Sequence, residues 1–438
     1  MDVPKKLQIL TDSAKYDVAC TSSKAARTAA PGGIGSALLG GCCHSFTADG
    51  RCVSLLKVLM GNACVYDCKY CVNRRSNDIP RAVFEPRELA LLTMEFYRRN
   101  YIEGLFLSSA VIKDPDHTVE LIVRTLSILR REYRFYGYIH AKAIPGASNA
   151  LHEQLGLLAD RISVNIELPS EASLRLLAPD KSKRAVLGPM DFIKNRAAEN
   201  SHELTVYKNV PRFAPAGQST QMIIGASPET DRQILKLTEG LYQKFRLKRV
   251  FFSAYLPMVA DSDLPAVGAK PPLLREHRLY QADWLLRHYN FTADEILDER
   301  QPDFNPFLDP KCNWAVNHPE FFPVDVNRAR YAELLRVPGI GVVSARRIVA
   351  ARKSASLDLA ALRKIGVAIK RAQYFIVCRD KARQILPARP EMLLPFIMSP
   401  QEMKLYRRQE NFGQRQLELF DRESAGEEGW GKCIAGKT

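Results

Sequence analysis

The feature of this sequence that most limits its fold is a repeated alternation of short apolar runs and longer amphipathic stretches. The runs are rich in Val, Ile, Phe and Leu, as buried strands are, and helical patterns at residues 86–100, 117–133 and 228–245 lie between them. Six such alternations predict parallel strands joined by right-handed helical crossovers. The predicted strands cover residues 54–60, 104–109, 135–142, 161–168, 220–226 and 249–256.

Six units are too few to close an eight-unit barrel, so the pattern fits either a partial (β/α)6 barrel or an open doubly wound sheet. In both α/β folds the functional site lies at the carboxyl ends of the strands. A chain of 438 residues suits one large domain and one or two small ones. We expect the strand-and-helix domain at residues 54–320, an irregular cysteine-containing layer at 1–53, a small all-α domain at 327–385 and an extension at 386–438.

Three cysteines, Cys64, Cys68 and Cys71, follow the first predicted strand with the spacing C-x3-C-x2-C. Thiolates are the ligands of iron–sulfur clusters, and a cubane has four irons, so three cysteines leave one iron open. Zinc ribbons instead use two separated C-x2-C pairs, and structural clusters have a fourth cysteine. The triad therefore favours a [4Fe–4S] cluster with an open iron over these two alternatives.

Further cysteines precede the triad: Cys20, the adjacent Cys42, Cys43 and His44, and Cys52. In a reducing compartment such residues serve metals or reactive thiols more often than disulfides. A second iron–sulfur cluster or a zinc ion on Cys20, Cys43 and Cys52, with Cys42 or His44 as fourth ligand, would explain why an unpatterned segment folds. The alternatives are buried thiols that pack as small hydrophobes and a hydrogen donor for radical chemistry.

The net charge of +15 is concentrated toward the C-terminus. Residues 328–383 contain fourteen Lys or Arg against three acids, a surplus of +11. Such a surplus attracts a polyanion through phosphate contacts and counterion release, which favours nucleic acid over a merely solvated basic surface. No apolar run approaches the roughly 20 residues of a membrane span, so we expect a cytoplasmic protein with no membrane partner.

Residues 331–353 predict a short helix, a Pro-Gly-Ile-Gly hairpin and a second helix, and residues 362–372 contain a degenerate second copy. Glycines permit the tight turn, and the hairpin amides with the next helix N-terminus form a nest for phosphate. This pattern resembles the helix-hairpin-helix module of DNA repair proteins, which grips the backbone without reading sequence. The alternative is a helical hairpin that packs only on the barrel. The predicted DNA contacts are Gly339, Ile340, Gly341, Ser344, Arg346, Arg347, Lys353, Gly366 and Lys370.

The triad after the first strand of a β/α repeat resembles the radical S-adenosylmethionine (SAM) superfamily. That resemblance implies a partial barrel of the radical SAM type, SAM on the open iron, and reductive cleavage of SAM to a 5′-deoxyadenosyl radical. It also implies cofactor contacts, for which ordinary strand-end polarity is the alternative. These are Tyr70 near adenine, Ser108 and Ser109 where the family has Gly-Gly-Glu, Asn165 and Glu167 facing the ribose and methionine, and Ile223, Gly225 and Glu229 on the adenine side.

The triad, the N-terminal cysteines and the basic hairpins together resemble the family of DNA modification or repair radical SAM proteins, from about Cys20 to Arg371. This implies that a nucleotide in DNA, flipped out of the duplex if necessary, is the substrate, and that a flavodoxin or ferredoxin supplies the electron. The alternatives are an RNA-modifying radical SAM enzyme and a DNA-binding protein with a structural cluster. Neither the substrate nor the choice between repair and modification follows from the motifs.

Overall fold

A computed structural model describes residues 1–14, 42–46, 52–207, 209–380, 394–398 and 403–404. For residues 42–46, 52, 394 and 395 only the backbone is described. The chain divides into two compact units, and the second unit begins at Trp284. The domain boundaries expected near residues 53, 320 and 385 stay predictions. Among the described residues, no helix has both the length and the apolar character needed to cross a bilayer.

The first unit is built on a seven-stranded sheet in which the strands are neighbours in chain order, from β1 to β7. Only the first pair is antiparallel, and β2 to β7 are parallel. A doubly wound sheet reverses its strand order at a switch point, whereas a barrel adds each strand on the same side. The sequential order therefore confirms the six-stranded partial barrel and excludes the doubly wound alternative.

The strands and helices of this unit alternate as the sequence predicts. The strands are β1 (Cys42–Phe46), β2 (Cys52–Leu59), β3 (Gly104–Ser108), β4 (Tyr138–Lys142), β5 (Arg161–Ser163), β6 (Gln218–Ile224) and β7 (Arg249–Ala254). The helices are α1 (Val3–Ala14), α2 (Pro86–Arg98), α3 (Pro115–Ser127), continued by one π turn (Ile128–Glu132), α4 (Asn149–Leu158), α5 (Glu171–Leu177), α6 (Lys183–Val206) and α7 (Asp231–Phe245). Helix α8 (Leu273–His288) contains the position at which the units divide.

Local signals at the helix ends explain why the helices begin and end where they do. Helix α2 begins with a capping box between Glu85 and Glu88, and the side chain of Asp114 accepts a hydrogen bond from the first turn of α3. Helix α7 begins with a capping box at Thr230 and ends at Arg246 in the left-handed conformation. These caps set the residues at which the helices begin and end.

The expectation of an irregular segment at the N-terminus is wrong for the part that the structure describes. Residues Val3–Ala14 form a helix in which Leu10 and Ala14 are buried, and Cys42–Phe46 form a strand paired with β2. This helix is short and is followed by a segment rich in Ser, Ala and Gly, so its amphipathic spacing was not recognised in the sequence. The remainder of that segment lies outside the described residues.

The second unit contains short helices and, in its described residues, one two-stranded parallel sheet. Its aromatic core surrounds Trp314, which packs edge-to-face on Phe291 and stacks on His318. The elements are α9 (Ala293–Ile296), α10 (Pro310–Asn317), a 3-10 turn (Pro319–Phe321), β8 (Val324–Asp325), α11 (Tyr331–Arg336), α12 (Val342–Ala351), α13 (Leu359–Ile365), α14 (Ile369–Ala372), β9 (Ile376–Val377) and α15 (Leu394–Ile397). Because β8 pairs with β9, the four helices α11 to α14 form one closed module.

Candidate functional site

The cysteine loop follows β2 and is held by backbone and side-chain hydrogen bonds. Asn62 is fully buried, and its amide accepts from the Ala82 N–H at 2.8 Å and donates to the Pro80 carbonyl at 2.9 Å. The Arg81 guanidinium donates to the Asn62 carbonyl at 2.6 Å and to the Asn73 carbonyl at 2.8 Å. These bonds tie both ends of the loop to one point, which makes the loop rigid before any ligand binds.

Ion pairs hold the outer side of the same loop. Lys69, between two of the cysteines, pairs with Asp263, and Arg74 lies 3.6 Å from the carboxylate of Asp261. Both acids belong to the connection that follows β7. The connection after β7 therefore stabilises the cysteine loop that follows β2.

All three cysteines of the triad line one cavity at the carboxyl ends of the parallel strands. Their thiols are free, Cys68 is buried, and Cys64 and Cys71 are partly buried. Predicted cofactor residues that line the same cavity are Tyr70, Ser108, Ser109, Asn165, Glu167 and Ile223. Residues that are far apart in the sequence thus meet where a parallel β/α fold is expected to hold its ligand.

Two predicted cofactor residues do not line this cavity. Glu229 is buried elsewhere and accepts a hydrogen bond from Ser173. Burial raises its pKa, but hydrogen bonds from Ser170, Ser173 and Ser227 outweigh the burial, so the pKa lies below the usual value. Gly225 has φ +83°, and a Cβ there would come within 2.7 Å of the Pro272 ring. In the structure as described, these two residues shape the turn after β6 and do not face the cavity.

A buried cation lies beside the cysteines. The ammonium group of Lys181 lies 3.4 Å from the Glu167 carboxylate and 3.4 Å from the Tyr70 hydroxyl. Burial lowers the pKa of Lys181, but Tyr70, Glu167 and the nearby cysteines outweigh it and raise the pKa well above the usual value. The cavity therefore keeps a fixed positive charge next to the thiols.

Burial raises the pKa of the Cys68 thiol, and it raises the pKa of the Cys71 thiol to about 12. Lys181 lowers both pKa values but does not offset the burial, so these thiols stay protonated near neutral pH, whereas bound iron takes them as thiolates.

The donor set is three thiols that line one cavity, which is the ligand chemistry of an iron–sulfur cluster. Among the described residues, no three His, Cys, Asp or Glu side chains converge as ligands of one ion. A cubane places one thiolate at each of separate corners, so its cysteines surround a cavity instead of meeting at a point. Within the described part of the chain, three buried polar atoms of the cavity also have no hydrogen-bond partner: Asn73 Oδ1, Asn165 Oδ1 and the Tyr255 hydroxyl. Buried polar atoms of this kind indicate a polar ligand.

The prediction of a second metal site falls largely outside the described residues. Cys20 lies outside them, and Cys42, Cys43, His44 and Cys52 are described only as backbone. Their strands pair antiparallel, with Cys43 opposite Leu55 and Cys52 opposite Phe46. The second site stays a prediction.

The second unit contains both predicted helical hairpins. The first joins α11 to α12 through Gly339 at φ +83°, and the second joins α13 to α14 through Gly366 at φ +97°. The hairpins contact each other, because the Ala368 N–H donates to the Gly339 carbonyl at 2.9 Å. A Cβ at Gly339 would come within 2.6 Å of the Ala368 carbonyl oxygen, so this contact requires glycine. The paired hairpins thus form one rigid module.

The predicted DNA contacts divide into exposed and internal groups. Arg346, Lys353 and Lys370 are exposed, and in the described part of the chain their side chains have no partner. Ser344 is buried and donates to the Gly366 carbonyl at 2.9 Å. Arg347 is exposed but donates to the Ile365 carbonyl at 3.0 Å. Ser344 and Arg347 therefore connect the hairpins, and the other three leave their charge free for a ligand.

Sequence reasoning missed several residues of both sites. Lys142, Lys181, Gln221 and Tyr255 also line the cysteine cavity. Of these, Lys142 ends β4 and Tyr255 directly follows β7, a signal that could have singled them out, whereas Gln221 lies in the middle of β6. Lys181 lies in the short connection between α5 and α6 and matches no motif. In the second unit, Arg363 and Lys364 are exposed beside the second hairpin.

Comparisons with known proteins support the hairpin module. Residues 321–357 match a family model described as a helix-hairpin-helix motif. No curated protein matches the sequence. Among solved structures, HydG, a maturase of the [FeFe]-hydrogenase, has a TM-score of 0.38 at 14% identity over 52% of this chain and 48% of its own. HydG from Carboxydothermus hydrogenoformans gives the same score and identity over 52% of this chain and 50% of its own. The chain spans about half the length of these structures.

Proposed function

We propose that this protein is a radical SAM enzyme that modifies or repairs a nucleotide in DNA. The observation that carries the proposal is the set of three free cysteines lining one cavity at the carboxyl ends of a six-stranded β/α half-barrel. A [4Fe–4S] cluster on Cys64, Cys68 and Cys71, with SAM on its open iron, would supply a strong hydrogen-abstracting radical when reduced. The protein residues then bind, orient and shield the reactants.

Several residues support a role in binding SAM. The Oδ1 of Asn165 has no partner within the described residues and would accept a hydrogen bond from a hydroxyl or amine of the ligand, and the Tyr255 hydroxyl offers a second buried polar group. The paired charges of Lys181 and Glu167 suit a zwitterionic amino acid group, because each charge attracts the opposite one on the ligand. The apolar wall, which includes Ile223 and Tyr70, suits an adenine ring and excludes water.

The second unit supports DNA as the macromolecular partner. Paired hairpins expose backbone amides and are flanked by free cationic side chains at Arg346, Lys353 and Lys370. Arg363 and Lys364 are two further exposed cations, and neither side chain has a partner among the residues that the structure describes. Amides and exposed cations contact phosphates without reading bases, which predicts binding that depends on salt more than on sequence.

The proposal is tested by anaerobic reconstitution of the protein with iron and sulfide, followed by reduction with dithionite or flavodoxin in the presence of SAM. We expect 5′-deoxyadenosine to form, and to form faster when duplex DNA is added. A Cys68→Ala variant should lose this activity, because one iron loses its protein ligand. The control is Cys378→Ala, which removes a buried cysteine of the second unit that does not line the cavity and should leave the activity unchanged.

Two outcomes would contradict parts of the proposal. If the reconstituted protein forms no 5′-deoxyadenosine under any of these conditions, the radical SAM activity is refuted. If structured RNA accelerates SAM cleavage and duplex DNA does not, the enzyme acts on RNA and DNA is the wrong substrate class.

A further inference from the structure

A buried lysine lies under the first hairpin and is not explained by the motif itself. Lys311, in α10, is 9% exposed, and its ammonium group donates to the Ile340 carbonyl at 2.6 Å. The same ammonium lies 4.7 Å from the centre of the Tyr289 ring, a cation–π distance. Lysine is almost never buried unless it has a partner, and here its partner is the hairpin backbone.

The hydrogen bond from Lys311 fixes the orientation of the peptide group between Ile340 and Gly341. The Ile340 carbonyl and the Gly341 N–H belong to the same planar trans peptide, so they point in opposite directions. If the carbonyl is held toward the buried ammonium, the Gly341 N–H is turned away from it. Within the described part of the chain this N–H has no acceptor, and it is the first amide at the N-terminus of the ten-residue helix α12.

We propose that Lys311 is a positioning residue that orients the Ile340–Gly341 peptide so that its N–H faces a DNA phosphate. This inference rests on the proposed binding of DNA by the hairpins. The cation at the carbonyl oxygen also polarises the peptide, which strengthens the N–H as a donor to an anion. Lys311 does not itself contact the phosphate.

A second contact from the same helix supports this arrangement. Asp309, the N-cap of α10, forms an ion pair at 2.6 Å with Arg371, which follows the second hairpin. Helix α10 thus holds the first hairpin through Lys311 and the second through Asp309. Both residues lie outside the matched residues 321–357, so neither is part of the matched motif.

The protonation of Lys311 gives the proposal a measurable signature. Burial lowers the pKa of Lys311 to about 7. The groups that face it are Asp309 and Cys312, which raise the pKa, Arg336, which lowers it, and the ring of Tyr289. A bound phosphate favours the charged form, so DNA binding takes up a proton when the free protein is partly neutral. The affinity for DNA is therefore expected to fall as pH rises through about 7.

The test measures the affinity of the full chain for a fluorescently labelled DNA duplex between pH 6 and 8.5 at constant ionic strength. For the wild type we expect about a tenfold loss of affinity over this range, from a charge acting across one peptide group. Lys311→Met should bind weakly with a flat profile, and Lys311→Arg, which stays charged, should not lose affinity as pH rises. The control Lys353→Met removes an exposed cation and should weaken binding while keeping the wild-type pH profile.

The proposal is overturned if the wild-type profile is flat, or if Lys311→Arg loses affinity with pH as the wild type does. If Lys311→Met does not fold, the pH profiles of the wild type, Lys311→Arg and Lys353→Met are enough to test whether Lys311 causes the pH dependence. If the wild type does not bind the duplex at any pH, the hairpins are not a DNA-binding module, and the proposed function fails as well.

Discussion

Replacement of Gly339 by alanine tests whether the contact between the two hairpins holds the second unit together. Gly339 has φ +83°, which costs an L-residue about 1–2 kcal/mol. Its new Cβ would also come within 2.6 Å of the Ala368 carbonyl oxygen and 3.1 Å of the Ala372 nitrogen. Both atoms are backbone and cannot rotate away, which adds about 1–3 kcal/mol. We expect a total destabilisation of about 2–5 kcal/mol.

Gly366 provides a matched control in the same unit. It has φ +97°, but the atoms nearest to its added Cβ are side-chain atoms at 3.7 and 3.8 Å. Gly366→Ala therefore has the conformational cost alone, about 1–2 kcal/mol. Urea unfolding can be followed by tryptophan fluorescence, because Trp314 is buried in the aromatic core of the second unit. Equal destabilisation by the two substitutions would refute the reasoning.

Two further predictions concern the first unit. Gly156→Ala in α4 should lower the free energy of unfolding by about 1–3 kcal/mol, because the added Cβ would come within 2.0 Å of the Phe213 ring. Gly240→Ala in α7 should raise the free energy of unfolding by about 0.5–1 kcal/mol, because the added Cβ has no atom within 4 Å. Chemical denaturation followed by circular dichroism measures both changes. The pKa of His140 lies well below 6.5 because of burial and the nearby charges of Arg161 and Lys142. Below pH 6.5 the unfolded chain therefore binds a proton at this residue that the folded chain does not, and the protein should lose stability as the pH falls. In His140→Met this loss should be smaller by up to about 1.4 kcal/mol per pH unit, and an unchanged slope would contradict the assignment.

The fold could be predicted from the sequence because its signals are local and repeated. The strands of the half-barrel are short apolar runs that alternate with helices, and the observed strands overlap all six predicted ones. The choice between a barrel and a doubly wound sheet depends on strand order, which periodicity alone does not encode. The N-terminal helix was missed because it has only twelve residues and precedes a long unpatterned segment.

The candidate sites also contain some residues that local motifs reveal and others that only the fold brings into place. The cysteine spacing and the Pro-Gly-Ile-Gly hairpin are local motifs, so the sequence reveals them directly. Lys181 and Lys311 reach their positions only through the packing of distant elements, and neither has a neighbour in the sequence that marks it. Ser344 and Arg347 were predicted as DNA contacts, but in the structure both bond to the second hairpin, and the sequence does not show how the two hairpins contact each other.

The central claim is that three thiolates hold a cubane with one open iron. The most direct measurement combines iron analysis with electron paramagnetic resonance of the reduced, reconstituted protein before and after addition of SAM. The wild type should contain about four more irons per chain than a variant with Cys64, Cys68 and Cys71 all replaced by alanine. Its cluster signal should also change when SAM is added. An equal iron content in the two proteins, or a signal that SAM leaves unchanged, would contradict the account.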